Sequence, residues 1–322
     1  MMGATVFISQ PIPAQGLAVL KRAGMVFEIN EEDRVLGKRE LIEALRGKEG
    51  LLCLLTDRID EEVLANTEGL KGIAVCAVGY ENIDIGAAAR RGIQVSNTPG
   101  VLTDTTADLS WALILSVARR IVVADRLTRA GQFKGWGMMF MLGGDVYGKT
   151  LGVVGAGRIG TAVALRAGGF RMKVLYCSKE KNEVLERGGN AIRVSLERLL
   201  KESDFVSLHV PLTPETHQLI GTRELGLMKP TAYLINTSRG AVVDEGALVE
   251  ALRSKDIAGA GLDVYENEPV LHEGLKELEN TVLLPHIGSA SLETRGRMAE
   301  MAATNLVAML RGERPPNCVN LL

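Results

Sequence analysis

Cysteine is scarce in this sequence and none of it is arranged as a pair. The four cysteines, Cys53, Cys76, Cys177 and Cys318, include no C-x-x-C spacing, which argues against a disulfide framework or a thiolate metal site. No run of histidine, cysteine and carboxylate has ligand spacing, so no metal is expected. Cys53, Cys76 and Cys177 lie in apolar strand-like runs, where a free thiol behaves as a small hydrophobe. A reduced, cytoplasmic protein is the expectation. Charge of one sign is also lacking: the formal net charge is −2, which leaves no footprint for nucleic acid or a membrane surface. No apolar run is long enough for a bilayer. The most apolar stretch, Ala107–Ala118, contains Asp108, Ser110 and Ser116 and then meets Arg119 and Arg120, so it reads as a buried helix. The stretch from Met1 to Ser9 lacks the charged start and apolar core of a signal peptide. There is no G-x-S-x-G nucleophile motif and no solenoid repeat.

What is present is an ordinary globular balance, 46% hydrophobic and 24% charged over 322 residues, enough for about two domains. Short apolar runs at Thr5–Ser9, Gly50–Leu55, Ile73–Ala77 and Ile93–Ser96 alternate with helical segments such as Glu40–Gly47 and Asp60–Ala65, a pattern for a parallel sheet. Asn97-Thr98-Pro99-Gly100 breaks this block. One long helix is predicted from about Leu102 to Ala130, apolar nearly all round until Val123 and therefore buried between domains. Gly131–Gly148, with Trp136, reads as an ordered loop. A second block follows, with strands at Leu151–Val154, Lys173–Cys177, Phe205–Val210, Ala232–Asn236, Gly259–Val264 and Val282–Leu284. Six strands with crossovers predict an α/β fold with a doubly wound sheet. A last helix, Leu292–Leu310, can return to the first block and make it discontinuous.

Gly155-Ala156-Gly157-Arg158-Ile159-Gly160 follows a strand and opens a helix. With 36 glycines in the chain the motif alone is weak, but strand, glycine turn, helix and second strand are the context a Rossmann dinucleotide site requires. Gly155 permits the turn, Gly157 lets the backbone approach a pyrophosphate, and Gly160 lets helix pack on strand. The second strand ends in Tyr176-Cys177-Ser178-Lys179-Glu180-Lys181. Ser178 stands where an acid would bond the ribose 2′-hydroxyl. A serine removes repulsion against a 2′-phosphate, and Lys179 or Lys181 can neutralise one. NADP is therefore the expected cofactor, with NAD possible if the lysines are only a solvated run.

Three polar residues follow later strands: Arg239, Glu268 and His286. Ligands of an open α/β sheet bind outside the carboxyl ends of its strands, which directs all three toward one crevice. A guanidinium can hold a substrate carboxylate bidentately. An imidazolium can protonate the carbonyl oxygen during reduction, and a neighbouring carboxylate orients it and favours its charged form. Each residue has a plainer reading as a surface arginine, a loop-shaping glutamate or a core histidine. Together they specify reduction of a small 2-oxo acid.

At these residues the chain resembles the D-isomer-specific 2-hydroxyacid dehydrogenases, and within them the glyoxylate reductases, including the glyoxylate/hydroxypyruvate reductase branch. The shared segments include Ala77-Val78-Gly79-Tyr80-Glu81-Asn82-Ile83-Asp84, Asn97-Thr98-Pro99-Gly100, Asn236-Thr237-Ser238-Arg239-Gly240, Gly261-Leu262-Asp263-Val264-Tyr265 and Pro285-His286-Ile287-Gly288. The resemblance implies that Arg239, Glu268 and His286 are catalytic and that the N–H groups of Val78 and Gly79 hold the carboxylate beside Arg239. It implies cofactor contacts from Thr106, Gly155, Ala156, Gly157, Arg158, Ile159, Ser178, Lys179, Glu180, Thr237, Ser238, Arg239, Asp263, His286 and Gly288. It also implies a flavodoxin-like substrate domain, residues 1–99 and 290–322, around a dinucleotide domain, residues 100–289. A homodimer built on the long helix is implied too, with Trp136 either a lid on the partner's site or a packing residue. Other D-2-hydroxy acids, such as phosphoglycerate or 2-ketogluconate, stay open as substrates. So does a dinucleotide-sensing, corepressor-like binding protein, although sensing alone needs no proton donor.

Overall fold

The computed structural model describes residues 4–188 and 191–320; the outermost residues of the expected first domain, 1–3 and 321–322, lie outside them. The chain forms two units, Met1–Leu102 with Ser289–Leu322, and Thr103–Gly288.

The first unit holds five parallel strands: β1 (Thr5–Ile8), β2 (Val26–Ile29), β3 (Gly50–Cys53), β4 (Gly72–Val75) and β5 (Gln94–Ser96). Their order is β2-β1-β3-β4-β5. Every residue of β3 and β4 is buried, as a parallel sheet covered on both faces requires. Helix Leu292–Leu310 packs on β3, β4 and helix Ala14–Arg22, so the end of the chain completes the unit that its beginning starts. β2 was not evident in the sequence. It is an edge strand whose residues alternate between exposed and half-buried, which leaves no continuous apolar run to recognise.

The second unit has seven parallel strands among the described residues: β6 (Thr150–Val154), β7 (Lys173–Cys177), β8 (Ile192–Arg193), β9 (Phe205–Leu208), β10 (Tyr233–Asn236), β11 (Gly259–Leu262) and β12 (Thr281–Leu283). The order β12-β11-β10-β9-β6-β7-β8 reverses between β6 and β9, the doubly wound topology. β8 is the strand missed in the sequence; it has two residues, both exposed. Separate apolar clusters cover the faces, one around Leu234 and Leu248, the other around Trp111 and Val163. Fully burying a side chain such as Leu234 contributes about 1.5–3 kcal/mol. Trp111 stacks on Phe170 with ring centres 4.7 Å apart and donates its indole N–H to the Val163 carbonyl. No helix among the described residues is long and apolar enough to cross a membrane.

The predicted single helix from Leu102 to Ala130 is two helices, Thr103–Ala118 and Ile121–Arg129. They part at Arg120, which adopts φ +53°. The break has a tertiary cause. The returning loop places the Gly144 N–H 2.8 Å from the Ala118 carbonyl, so a residue distant in sequence caps the first helix. Gly143 lies so close that a Cβ there would sit 2.2 Å from the same oxygen. Nor is the run apolar all round: Asp104, Asp108 and Ala112 form an exposed stripe, and the second helix leaves all its residues at least partly exposed.

Gly143→Ala should therefore push the loop off the helix end. Overpacking of this kind costs about 1–3 kcal/mol, read as a Tm lower by ~2–12 °C for a unit of this size. An unchanged melting curve would mean that the loop does not cap the helix.

Candidate active site

The glycine turn follows β6. Gly155 takes φ +94°, and a Cβ on it would lie 2.7 Å from the His209 carbonyl carbon and oxygen. Gly160 packs so tightly that a Cβ would be 2.0 Å from the Gly155 oxygen, while a Cβ at Gly157 would meet nothing within 4 Å. Gly157 is the N-cap of helix Arg158–Arg166 and has no side chain to cover the first-turn amides. Those N–H groups, with the partial positive charge of a helix start, face open space over Gly157, Arg158 and Ile159. This is a cradle that fits a pyrophosphate. His209 is neutral beside it: burial pushes its pKa down to about 3, and its Nε2 lies 2.8 Å from the Ser207 hydroxyl.

At the end of β7, Ser178 is half-buried and Lys179 and Glu180 are exposed. The two lysines differ. Lys181 is held 2.9 Å from Glu186, whereas the Lys179 ammonium makes no ion pair or hydrogen bond among the described residues. Asn182, not singled out in the sequence, ties this segment to the glycine turn. Its Nδ2 donates to the Ala156 carbonyl at 2.9 Å and to the Thr161 hydroxyl at 2.8 Å. Its place just before helix Glu183–Gly188 was the one available signal.

The polar residues gather after β10, β11 and β12. Asn236 accepts the Ser238 N–H and hydroxyl and donates to the Arg239 carbonyl, fixing the turn that carries Arg239. The next residue allows a close backbone approach: a Cβ on Gly240 would lie 1.8 Å from the Tyr265 carbonyl carbon. The turn bearing Arg239 thus rests on the loop bearing Glu268. Behind that loop, the buried carboxylate of Glu245 accepts the Glu266 N–H at 2.7 Å.

Glu268 Oε1 accepts the Tyr265 N–H at 3.0 Å, and Oε2 lies 2.8 Å from His286 Nδ1. Burial pushes the Glu268 carboxyl up. The hydrogen bond and charge of His286, the Tyr265 N–H and Arg239 outweigh it and hold the group below the usual carboxylate range. An ionised carboxylate only accepts, so Nδ1 carries the proton in this contact and Nε2 is left for another partner. His286 adopts φ +55°, a conformation held by Asp263. The Asp263 carbonyl accepts the His286 N–H, and its carboxylate accepts those of Ile287 at 2.8 Å and Gly288 at 2.7 Å. Burial raises the Asp263 pKa despite these donors. Thr106 donates to the Gly288 carbonyl at 3.1 Å, and Thr237 bonds Ser110 at 2.8 Å. Val78 and Gly79 belong to the first unit, in the segment after β4, where the Val78 carbonyl accepts from Asn97 at 2.7 Å. No group of three or more potential metal ligands occurs among the described residues.

A doubly wound sheet with a phosphate-fitting glycine turn and a histidine–carboxylate pair at its strand ends defines a dinucleotide-dependent oxidoreductase. The family model of the D-isomer specific 2-hydroxyacid dehydrogenase NAD binding domain matches residues 111–288. A glyoxylate reductase of Thermococcus litoralis is 53% identical over 323 residues, covering 99% of this chain and 97% of the relative. A crystal structure of a Thermus thermophilus protein superposes with a TM-score of 0.93 at 47% identity, covering 98% of this chain and 100% of that one. An NADPH-dependent glyoxylate/hydroxypyruvate reductase of Sinorhizobium meliloti, solved with NADP and malonate, has a TM-score of 0.87 at 32% identity, covering 98% and 96%. The chain belongs to the D-isomer specific 2-hydroxyacid dehydrogenases and is a nicotinamide-dinucleotide-dependent enzyme.

Asp263→Asn replaces one of the two acceptors for Ile287 and Gly288 with a donor. Stranding a buried N–H costs about 1–3 kcal/mol, so a lower Tm and a lower kcat are expected together. A variant with wild-type values for both would show that the His286 segment is held elsewhere.

Proposed function

We propose that the protein reduces glyoxylate, and hydroxypyruvate as a second substrate, to the 2-hydroxy acid, with His286 as proton donor. The observation that carries this reading is the 2.8 Å contact between His286 Nδ1 and Glu268. It orients the imidazole and leaves Nε2 to face a carbonyl oxygen. Arg239 binds the substrate carboxylate and polarises the carbonyl. The bound dinucleotide supplies the hydride to the carbonyl carbon. His286 gives its proton to the oxygen, and in the reverse direction takes it back. Glu268 stays ionised throughout. The relatives' names support glyoxylate as the substrate.

NADPH is the preferred cofactor in this reading. Ser178 brings no negative charge to the end of β7, the Lys179 ammonium makes no direct ion pair among the described residues although its charge acts on Glu215, and Lys181 is engaged by Glu186. The Sinorhizobium meliloti neighbour is an NADPH-dependent enzyme. The protein works as a homodimer in the cytoplasm. Trp136, Met138 and Met139 are 81%, 72% and 79% exposed on one loop, an apolar surface suited to cover by a second copy. Four free thiols suit a reducing compartment.

Oxidation of NADPH on addition of glyoxylate tests the reading, with hydroxypyruvate, phosphoglycerate and 2-ketogluconate alongside; no turnover of glyoxylate would sink it. His286→Ala should reduce kcat by about 10²–10⁴-fold while NADPH still binds, and retained turnover would assign the proton to another group. Glu268→Gln takes the carboxylate acceptor from His286 Nδ1, so kcat for reduction should fall by up to about 10²-fold while NADPH still binds, and an unchanged kcat would separate Glu268 from proton transfer.

A further inference from the structure

Arg193 has no part in the chemistry of the strand-end site, and although it is exposed on an edge strand its guanidinium is hydrogen-bonded to backbone. It lies on β8 opposite Tyr176 of β7. Its Nη2 donates to two successive carbonyls just beyond β7, Ser178 at 2.9 Å and Lys179 at 2.6 Å. One nitrogen thus fixes the direction of two peptide groups. In a planar trans peptide the N–H points opposite to the C=O. Drawing these two carbonyls toward Arg193 therefore turns the N–H groups of Lys179 and Glu180 to the other side of the segment. Neither N–H makes a hydrogen bond among the described residues. Consecutive free amides of this kind form an anion-binding concavity. The same segment carries the Ser178 hydroxyl and the exposed Lys179 side chain, while Asn182 pins its far end to the glycine turn.

We propose that Arg193 is the positioning residue that sets preference for a 2′-phosphorylated dinucleotide, by orienting the Lys179 and Glu180 amides toward a phosphate monoester. The inference rests on the NADPH reading and extends it to a residue that does not touch the phosphate. It accounts for one short element: β8, only two residues long, delivers a guanidinium to the end of β7.

The test is equilibrium titration of the full-length protein with NADPH and with NADH, followed by isothermal calorimetry without substrate, for wild type, Arg193→Ala and Arg193→Lys. Wild type should bind NADPH more tightly. Arg193→Ala should weaken NADPH about tenfold or more and leave NADH within about twofold, a change on the scale of one or two charge-assisted hydrogen bonds. Arg193→Lys, which keeps charge and donors, should recover part of the loss. Equal weakening toward both dinucleotides would reduce Arg193 to a structural residue and overturn the proposal. So would an unchanged NADPH-to-NADH ratio in Arg193→Ala, with the NADPH reading intact. A wild type that itself favours NADH would remove that reading first, and with it any preference for Arg193 to set.

Discussion

One carboxylate holds the end of β12 in place. Asp263 receives the N–H groups of Ile287 and Gly288 on its two side-chain oxygens and that of His286 on its carbonyl. Three successive backbone donors thus converge on one residue at the end of the neighbouring strand. This lets a histidine occupy a left-handed conformation at modest cost and sets its ring against Glu268. Glu268 is fixed in turn by the Tyr265 N–H, and the Tyr265 backbone lies against Gly240, next to Arg239. From the acid to the guanidinium, the chain of contacts runs mostly through backbone, where there is least freedom to drift.

Much of this was legible in the amino-acid order, for physical reasons. Parallel strands buried on both faces must be continuous apolar runs, so β3, β4, β6, β9 and β10 could be read directly. Polar residues just after such runs must lie at the carboxyl edge, which is why the order of residues alone directs Arg239, Glu268 and His286 to it. The glycine turn was legible because its three glycines answer three separate steric demands.

What was not legible depends on contacts between distant residues. β2 and β8 are edge strands with exposed side chains, so burial leaves no pattern in them. The helix break at Arg120 comes from Gly144, far along the chain, and nothing local in Ala118-Arg119-Arg120 announces it. Asn182 and Arg193 act through backbone carbonyls of other segments. A composition argument counts charges at the end of β7; it does not see that Lys181 is already neutralised or that a neighbouring strand supplies another cation.

The tether between Gly144 and Ala118 has one more effect. It brings together the two ends of an excursion that contains helix Ile121–Arg129 and the exposed loop after it. Closing a longer loop at a fixed neck costs only about 0.6 kcal/mol for each doubling of its length. Insertions and deletions beyond that neck would leave the register of the sheet untouched. The excursion can therefore change in length without shifting the strands whose carboxyl ends carry Arg239, Glu268 and His286.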